Sequence, residues 1–411
     1  MTYIPDATTS ADLPDALAGQ PIVEVERDGT HYTLLGTAHV SRASVAAVEA
    51  LIATREFDAV AVELCEGRYQ AMREPDALAK LDLFRVIREG KTGLVAANLA
   101  LSAYQRRLAE QLGVEPGAEM RAAITDSEAR STPVWRIDRD VGITLRRTHA
   151  AVGFWQRLTL SGGLIASLFA DEKVDEAEIE KLKQGDLLES AFHEFASRSE
   201  PLYRALIAER DRYMAAALRQ QAAAGDTPKR VLAVVGAGHL QGLAKHLAED
   251  RAEPVGIKAE LDLLPPPGRW GKWITLLLLV FVLGGFVYGF SQGADIGTDL
   301  VLRWVLTTGL LGALGCLIAG GHPLSILGAF VASPLTPLHP ALASGTISAL
   351  IEAWVRRPTV ADFSRLRDDV TSPRGWWRNR VARVLLNFFL TSFGTAIGVY
   401  LAGWSMLEKL L

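Results

Sequence analysis

The apolar positions of this chain follow two regimes. Up to about residue 265 they form short strand-like runs and helical repeats between charged segments; beyond it they form long uncharged stretches. In the first regime, Pro21 to Val25 and His31 to Leu35 flank Asp28-Gly29, which predicts a β-hairpin. Ser41 to Thr54 has apolar residues at helical spacing behind Ser41 as a candidate N-cap, predicting a helix. Phe57 to Leu64 reads as a buried strand, followed by a helical region from about Tyr69 to Ile124. Val134 to Asp138 reads as another strand, with long helices through to about Ala223. Arg230 to Val235 is a further strand and Leu240 to Glu249 the helix after it. Strands alternating with helices predict α/β architecture, and the helical insertion is too large for a simple doubly wound sheet.

In the second regime, Trp273 to Phe290, Trp304 to Gly321 and Val384 to Leu407 carry no charged residue, and each approaches or meets the length of a membrane span. Tryptophans cluster near the ends of these runs, where interfacial aromatics are expected. The segment 323–351 is also uncharged, but Pro334, Pro337 and Pro340 fall near its middle and exclude a straight helix. Charge supplies the topology. Arg269 and Lys272 precede the first run, and Val355 to Arg383 holds eight arginines against three aspartates. Both basic segments are therefore expected on the cytoplasmic side, with Asp295 and Asp299 in a short loop outside. The segment between Gly321 and Arg356 must then cross an even number of times, as a broken hairpin of half-helices or two short spans. His322 and His339 are read as interfacial residues of that hairpin. These readings divide the chain into an N-terminal tail (1–20), an α/β domain (21–265) and a multi-span membrane domain (266–411).

The net charge of −4 over 411 residues hides this asymmetry: the arginine-rich segment is positive by five, leaving about nine negative charges elsewhere. A nucleic-acid binder would spread basic residues over its folded domain, so nucleic acid is not an expected partner. Cys65 and Cys316 lie in different regimes and suggest no disulfide. The first twenty residues mix prolines and aspartates without an apolar core, so no signal peptide is read and the α/β domain is expected in the cytoplasm.

Candidate chemistry sits at strand ends. Thr33 to Ser41 (TLLGTAHVS) and Ala233 to Gln241 (AVVGAGHLQ) share an apolar strand, a Gly-x-x-His turn and the start of a helix. Their histidines, His39 and His239, fall at the carboxyl ends of strands, where ligands bind in open α/β sheets. Glu63 ends the strand VAVEL and needs a partner there, Arg68 being the nearest candidate cation in sequence. Two imidazoles and a carboxylate would also form a divalent-metal site with open positions. Cys65 is read as a buried inert thiol, His149 and His193 as packing or solvated residues, and 171–183 as an exposed charged helix face.

Together, GTAHVS, VAVELCEGR, the segment Asp138 to Arg147 (DRDVGITLRR), the segment Glu209 to Ala215 (ERDRYMA) and VVGAGHL resemble the TraB/PrgY family of pheromone-shutdown proteins, related to the Tiki proteases. The resemblance runs in order from about Val23 to Glu249. It implies a Tiki/EreA/ChaN-like mixed α/β sheet with a large helical insertion, followed by an all-α transmembrane domain. It also implies a metal-dependent peptidase site in which His39, Glu63 and His239 hold Mn, Co or Zn and carry catalysis. Arg68, Asp138, Arg139, Glu209 and Arg210 match the other motifs as substrate-positioning or supporting groups. Asp140 departs from the family pattern, standing where proline is frequent after Asp-Arg.

Three functions fit. The first is a membrane-anchored metal-dependent hydrolase, a peptidase acting on peptide or signalling substrates, with Glu63 as ligand or general base. The second is a non-catalytic membrane regulator that sequesters a peptide signal in the same cleft. The third, a transporter, is disfavoured because the three uncharged runs offer no ionisable group for an ion path. The expected partners are a peptide or protein substrate and the lipid bilayer, with homo-oligomerisation left open.

Overall fold

The computed structural model describes residues 15–37, 42–54, 56–73, 82–93, 95–96, 99, 117–153, 156, 159, 199–224, 228–266, 270–338 and 343–410. His39, Ser41, the charged run 171–183, His193 and His339 lie outside the described residues. Two compact units emerge, residues 1–74, 105–163 and 170–265 in the first and 75–104, 164–169 and 266–411 in the second.

The first unit is built on a five-stranded mixed sheet of order β1-β2-β5-β3-β4. β1 (Ile22–Arg27) and β2 (Thr30–Thr37) form the expected antiparallel hairpin. Asp28 (φ 52°) and Gly29 (φ 81°) both take the left-handed conformation that a two-residue hairpin turn requires. β3 (Ala59–Val62), β4 (Val134–Arg136) and β5 (Arg230–Gly236) are parallel to one another, and β5 also runs parallel to β2.

The central strands are apolar at successive positions because both faces of the sheet are covered. On one face Leu34, Val231, Ala233 and Val235 pack against Met214, Leu218, Leu240, Leu243 and Leu247. Those residues belong to α7 (Glu209–Ala222) and α8 (Ala237–Glu249). On the other, Leu35, Val60, Val62, Leu232 and Val234 pack against Val48, Leu51, Met120 and Ala123. These come from α1 (Arg42–Thr54) and α4 (Ala118–Ala129). The other described α-helices of this unit are α2 (Glu66–Arg73), α5 (Val141–Ala151), α6 (Glu200–Tyr203) and α9 (Pro254–Asp262). A π-helical stretch, Arg204–Ala208, leads from α6 into α7.

Besides α3 (Leu83–Arg88), the second unit consists of α10 (Trp270–Gln292), α11 (Ala294–Ile318), α12 (Pro323–Ala332), α13 (Ser344–Arg356), α14 (Val360–Ser364), α15 (Leu366–Asp369), α16 (Pro373–Arg378) and α17 (Arg380–Leu410). Among the described residues, three helices are long and apolar enough to cross a membrane: Trp273–Gln292, Ala294–Ile318 and Arg380–Lys409. The second begins at Ala294, so Asp295 and Asp299 sit inside the helix and a single residue, Gly293, separates it from α10. An acidic first turn suits the positive end of a helix, and Asp299 pairs with Arg303 one turn on at 2.9 Å.

The proline-rich segment forms a broken hairpin. α12 has 10 residues and α13 has 13, about 15 and about 20 Å at ~1.5 Å per residue, against about 30 Å of hydrocarbon. Each is short for a crossing. Their outer ends are tied together, since Glu352 of α13 accepts the His322 backbone N–H at 2.7 Å and the Ser325 hydroxyl at 2.7 Å at the start of α12. Arg356 donates to the Gly320 carbonyl at 3.0 Å. These bonds bring the start of α12 and the end of α13 together.

Candidate functional site

The carboxyl ends of β3, β4 and β5 carry a cluster of buried polar side chains. Glu63 follows β3, with its backbone N–H bonded to the Val234 carbonyl of β5 at 3.1 Å. Asp138 follows β4, and its N–H bonds the Leu64 carbonyl at 3.3 Å, so the two carboxylates leave adjacent strand ends. The glycine of the second Gly-x-x-His turn, Gly236, donates its N–H to Glu63 Oε2 at 2.6 Å, and His239 lies in the first turn of α8.

Arg210 of α7 stands at the centre. Its guanidinium donates to Asp138 Oδ1 and Oδ2, each at 2.9 Å, in a bidentate pair, and also to Glu63 Oε1. A third nitrogen lies 2.9 Å from His239 Nε2. Burial works against the charge of Arg210, but the carboxylates of Asp138 and Glu63 more than offset it and raise its pKa. The cation that Glu63 meets is therefore Arg210. Arg68, the nearer one in sequence, is exposed on α2.

His239 is fixed from its other side. Asp211 Oδ1 lies 2.6 Å from Nδ1, while Nε2 faces Glu63 Oε1 at 3.4 Å. A carboxylate on Nδ1 favours the tautomer with hydrogen there, so the Nε2 lone pair accepts from Arg210 at 2.9 Å. Burial pushes the Asp211 carboxyl above its ordinary range, with the His239 contact opposing that rise. Asp211 fits because Gly242, one turn after His239, has no side chain: a Cβ there would lie 2.0 Å from Asp211 Oδ2.

Arg139 and Glu209 form a neighbouring assembly. Arg139 is 1% exposed and donates to Glu209 at 2.8 Å, to Thr144 at 3.0 Å and to the carbonyls of Ala205 (3.0 Å) and Leu261 (3.3 Å). Glu209 also receives Arg147 in a bidentate pair at 2.7 and 3.0 Å. Burial alone would raise the Glu209 pKa; the bonds from Arg147 and Arg139 outweigh it and hold the carboxyl below its usual range. This assembly fastens α9 and the chain that follows it. Asp140 does not face the cluster: its side chain caps α5, accepting from Gly142 N at 2.8 Å and Ile143 N at 3.1 Å.

Of the sequence candidates, the structure thus brings together Glu63, Asp138, Arg210 and His239, sets Arg139 and Glu209 beside them, and leaves Arg68 outside. His39 lies outside the described residues; the chain leaves β2 at Thr37, which pairs with Gly236. Asp211 and Gly242 escaped sequence reasoning. Glu209, Arg210 and Asp211 are consecutive, and successive helical residues point about 100° apart. Only the packing of α7 against the strand ends and α8 shows that they meet three different neighbours.

The donor set has the chemistry of a divalent-metal site: two carboxylates and an imidazole held by a third carboxylate. Two of the carboxylates, Glu63 and Asp138, meet the Arg210 guanidinium, and the third, Asp211, meets His239. With Arg210 at the meeting point, no group of three or more His, Cys, Asp or Glu is disposed to hold an ion among the described residues.

An α/β domain with a buried ionic cluster at its strand ends, followed by a helical unit with three candidate spans, is the class of protein these features define. The chain belongs to the TraB/PrgY/gumN family, whose model matches residues 21–258, and residues 270–411 match the C-terminal domain of TraB family proteins. It is 30% identical to an uncharacterized protein of Methanocaldococcus jannaschii over 376 residues, 89% of this chain and 92% of that protein. It is 31% identical to a TraB domain-containing protein of Bos taurus over 288 residues, 64% of this chain and 74% of the bovine protein. The human TraB domain-containing protein matches at 31% over 271 residues, 60% of this chain and 69% of its own length.

Proposed function

We propose that the strand-end cluster is the centre of a membrane-anchored, metal-dependent hydrolase acting on peptide or signalling substrates, on a Tiki/EreA/ChaN-like scaffold. The observation that carries this reading is the Asp211–His239 pair at 2.6 Å, which turns His239 Nε2 toward Glu63. A divalent ion (Mn, Co or Zn) would be held by Glu63 and His239, with His39 from the chain that leaves β2. The chemistry such an ion supplies is Lewis-acid polarisation of an amide carbonyl and acidification of water. The chain's own residues do the rest. Asp211 orients His239 through its Nδ1; Glu63 accepts a proton from water or ligates; Arg210 and Asp138 position a polar substrate group. The candidate spans of the second unit would anchor the chain in a bilayer, and the arginine-rich segment argues for a cytoplasmic face.

A second reading is favoured by the position of Arg210. As a resident cation shared by Glu63 and Asp138, it would make the cluster a metal-free cleft that sequesters a peptide signal without cleaving it. Calorimetry on the purified full-length protein separates the two. The hydrolase reading expects stoichiometric binding of Mn²⁺, Co²⁺ or Zn²⁺, lost in His39→Ala and in His239→Ala together with turnover of a peptide library. Unchanged metal affinity in either variant would overturn it, and stoichiometric capture of uncleaved peptide would favour the second reading.

A further inference from the structure

In the second unit, unpaired positive charge collects at one end. Residues 356–383 lead from the end of α13 to the start of α17 through α14, α15 and α16. Phe363, Leu366, Val370 and Trp376 turn inward and pack with Ala353, Val381 and Leu385. The segment is therefore an ordered cap. It is fastened where Trp377 Nε1 donates to the Ile318 carbonyl, at the end of α11, at 2.8 Å. With its apolar side chains buried, the cap presents Arg357, Arg365, Arg374, Arg378 and Arg380 outward, all five exposed.

The acids of the cap do not neutralise these arginines. Asp362 is taken up in the capping box of α14, accepting from the Thr359 backbone N–H and hydroxyl at 2.7 Å each. Arg380 comes no nearer to it than 4.0 Å. Asp369 accepts from the Asn379 side chain at 2.9 Å. Among the described residues, the side chains of Arg357, Arg365, Arg374 and Arg378 form no hydrogen bond or ion pair. Arg380 and Arg383 also fall in the first turn of α17, the positive end of that helix, where cations are unfavourable without an anion nearby. The other end of α17 is different: there Lys409 pairs with Asp299 of α11, which Arg303 also meets.

We propose that this cap is a docking surface for the phosphate headgroups of anionic phospholipids. Position and neighbours select that occupant. The cap ends at Arg380, the first residue of a helix long and apolar enough to span a bilayer. Clusters of arginine and lysine immediately beside a span attract anionic lipids, and the planar guanidinium matches phosphate oxygens in pairs. Trp354 of α13, 61% exposed, and the partly buried Trp377 share this end, and tryptophan favours the headgroup layer. Beyond the arginines, α17 continues into exposed Phe389 and Phe393, an apolar surface for the acyl chains below the phosphates. Nucleic acid or an acidic protein would match the charge but not that apolar continuation. The proposal rests on the candidate spans entering a bilayer and is independent of the chemistry at the strand ends.

The test is lipid binding to the full-length protein in nonionic detergent, counted by native mass spectrometry as dioctanoyl phosphatidylglycerol or dioctanoyl phosphatidylcholine is added. Phosphatidylglycerol is expected to bind saturably and at least about tenfold more tightly than phosphatidylcholine. The triple variant Arg365→Gln, Arg374→Gln, Arg378→Gln is expected to lose that preference, since each arginine near the headgroups contributes about a factor of five. Should the triple variant fail to fold, Arg374→Gln alone is expected to weaken phosphatidylglycerol binding about fivefold. Inorganic phosphate, polyglutamate and a single-stranded oligonucleotide, each added as competitor, are expected to leave the lipid bound. Equal affinity for the two lipids, undiminished preference in the variants, or displacement by any of the three competitors would overturn the docking surface. Divalent-metal binding at the strand ends is measured separately, so failure here leaves that reading untouched.

Discussion

The two units bury opposite kinds of surface. In the first, Leu232, Val234 and Leu243 are fully buried in apolar clusters, and the polar groups withdrawn from water gather at one edge of the sheet. In the second, leucines and phenylalanines face outward while Thr308, Ser348, Glu352, Asn387 and Thr391 are fully buried. A hydrocarbon medium around the second unit, three of whose described helices are long and apolar enough to span one, would explain the inversion. Water drives apolar side chains inward, whereas hydrocarbon tails accept them, so membrane helices associate through close packing and internal hydrogen bonds. Close packing is visible where α11 meets α17: a Cβ on Gly315 would lie 2.1 Å from the Leu390 carbonyl oxygen, and one on Gly394 2.1 Å from that of Leu311. A buried charge cluster is thus an exception in the first unit and marks its candidate site. In the second, a polar interior is the norm, and only the unpartnered or ionisable members stand out.

The contrast can be broken by experiment, beginning where effects are largest. Leu232→Ala empties volume between two covered faces of the sheet and is expected to destabilise the first unit by about 2–5 kcal/mol, read as a lowered denaturation midpoint. A loss below about 1 kcal/mol would mean that the sheet is not packed on both sides. Gly242→Ala drives a methyl into Asp211 and is expected to cost about 1–3 kcal/mol. It should also weaken metal binding at the strand ends, because His239 loses its orienting carboxylate. Asp211→Asn separates these effects, keeping the volume while lowering metal affinity about 10–100-fold; unaltered affinity would remove Asp211 from the site.

Smaller effects are expected in the second unit. Asn387→Leu should cost about 0.6 and no more than about 1.7 kcal/mol, far less than removal of a buried leucine from the sheet. Acid should act mainly on the first unit. The Glu209 pKa lies below its ordinary value of 4.5, so its contribution is complete above that value and lost as pH falls through the lowered one. Unfolding followed from about pH 7 to about pH 3 should show a shallower acid loss in Glu209→Gln than in the parent. Parallel curves would dismiss the Arg139–Glu209–Arg147 assembly as a source of acid sensitivity. At the bottom of the scale, Leu277→Ala on the lipid face is expected to change stability by less than about 0.5 kcal/mol.

Much of the architecture was legible from local pattern. The hairpin at Asp28-Gly29 was signalled by a turn whose two residues take positive φ, and β3, β4 and β5 by apolar runs bounded by charged or turn residues. Spans were legible because hydrocarbon thickness imposes a length on uncharged sequence. The start of α11 was not: Asp295, Asp299 and Arg303 look like a loop by charge, yet an acidic first turn and an i,i+4 pair are also what a helix start favours.

By itself, the sequence determined where the strands fall and that three long apolar helices follow, though not where α11 begins, because strands and spans follow from side-chain periodicity and run length. It also singled out Glu63, Asp138, Arg210 and His239 one by one, as polar residues at strand ends or in motifs shared with a family. Only the tertiary structure decided that Arg210 sits among the other three, that Asp211 holds His239 in the space left by Gly242, and that Glu352 ties the two ends of the membrane hairpin. These contacts join residues 28 to 147 positions apart. They depend on which helix packs over which strand end, a property of burial across the whole fold that no local pattern encodes.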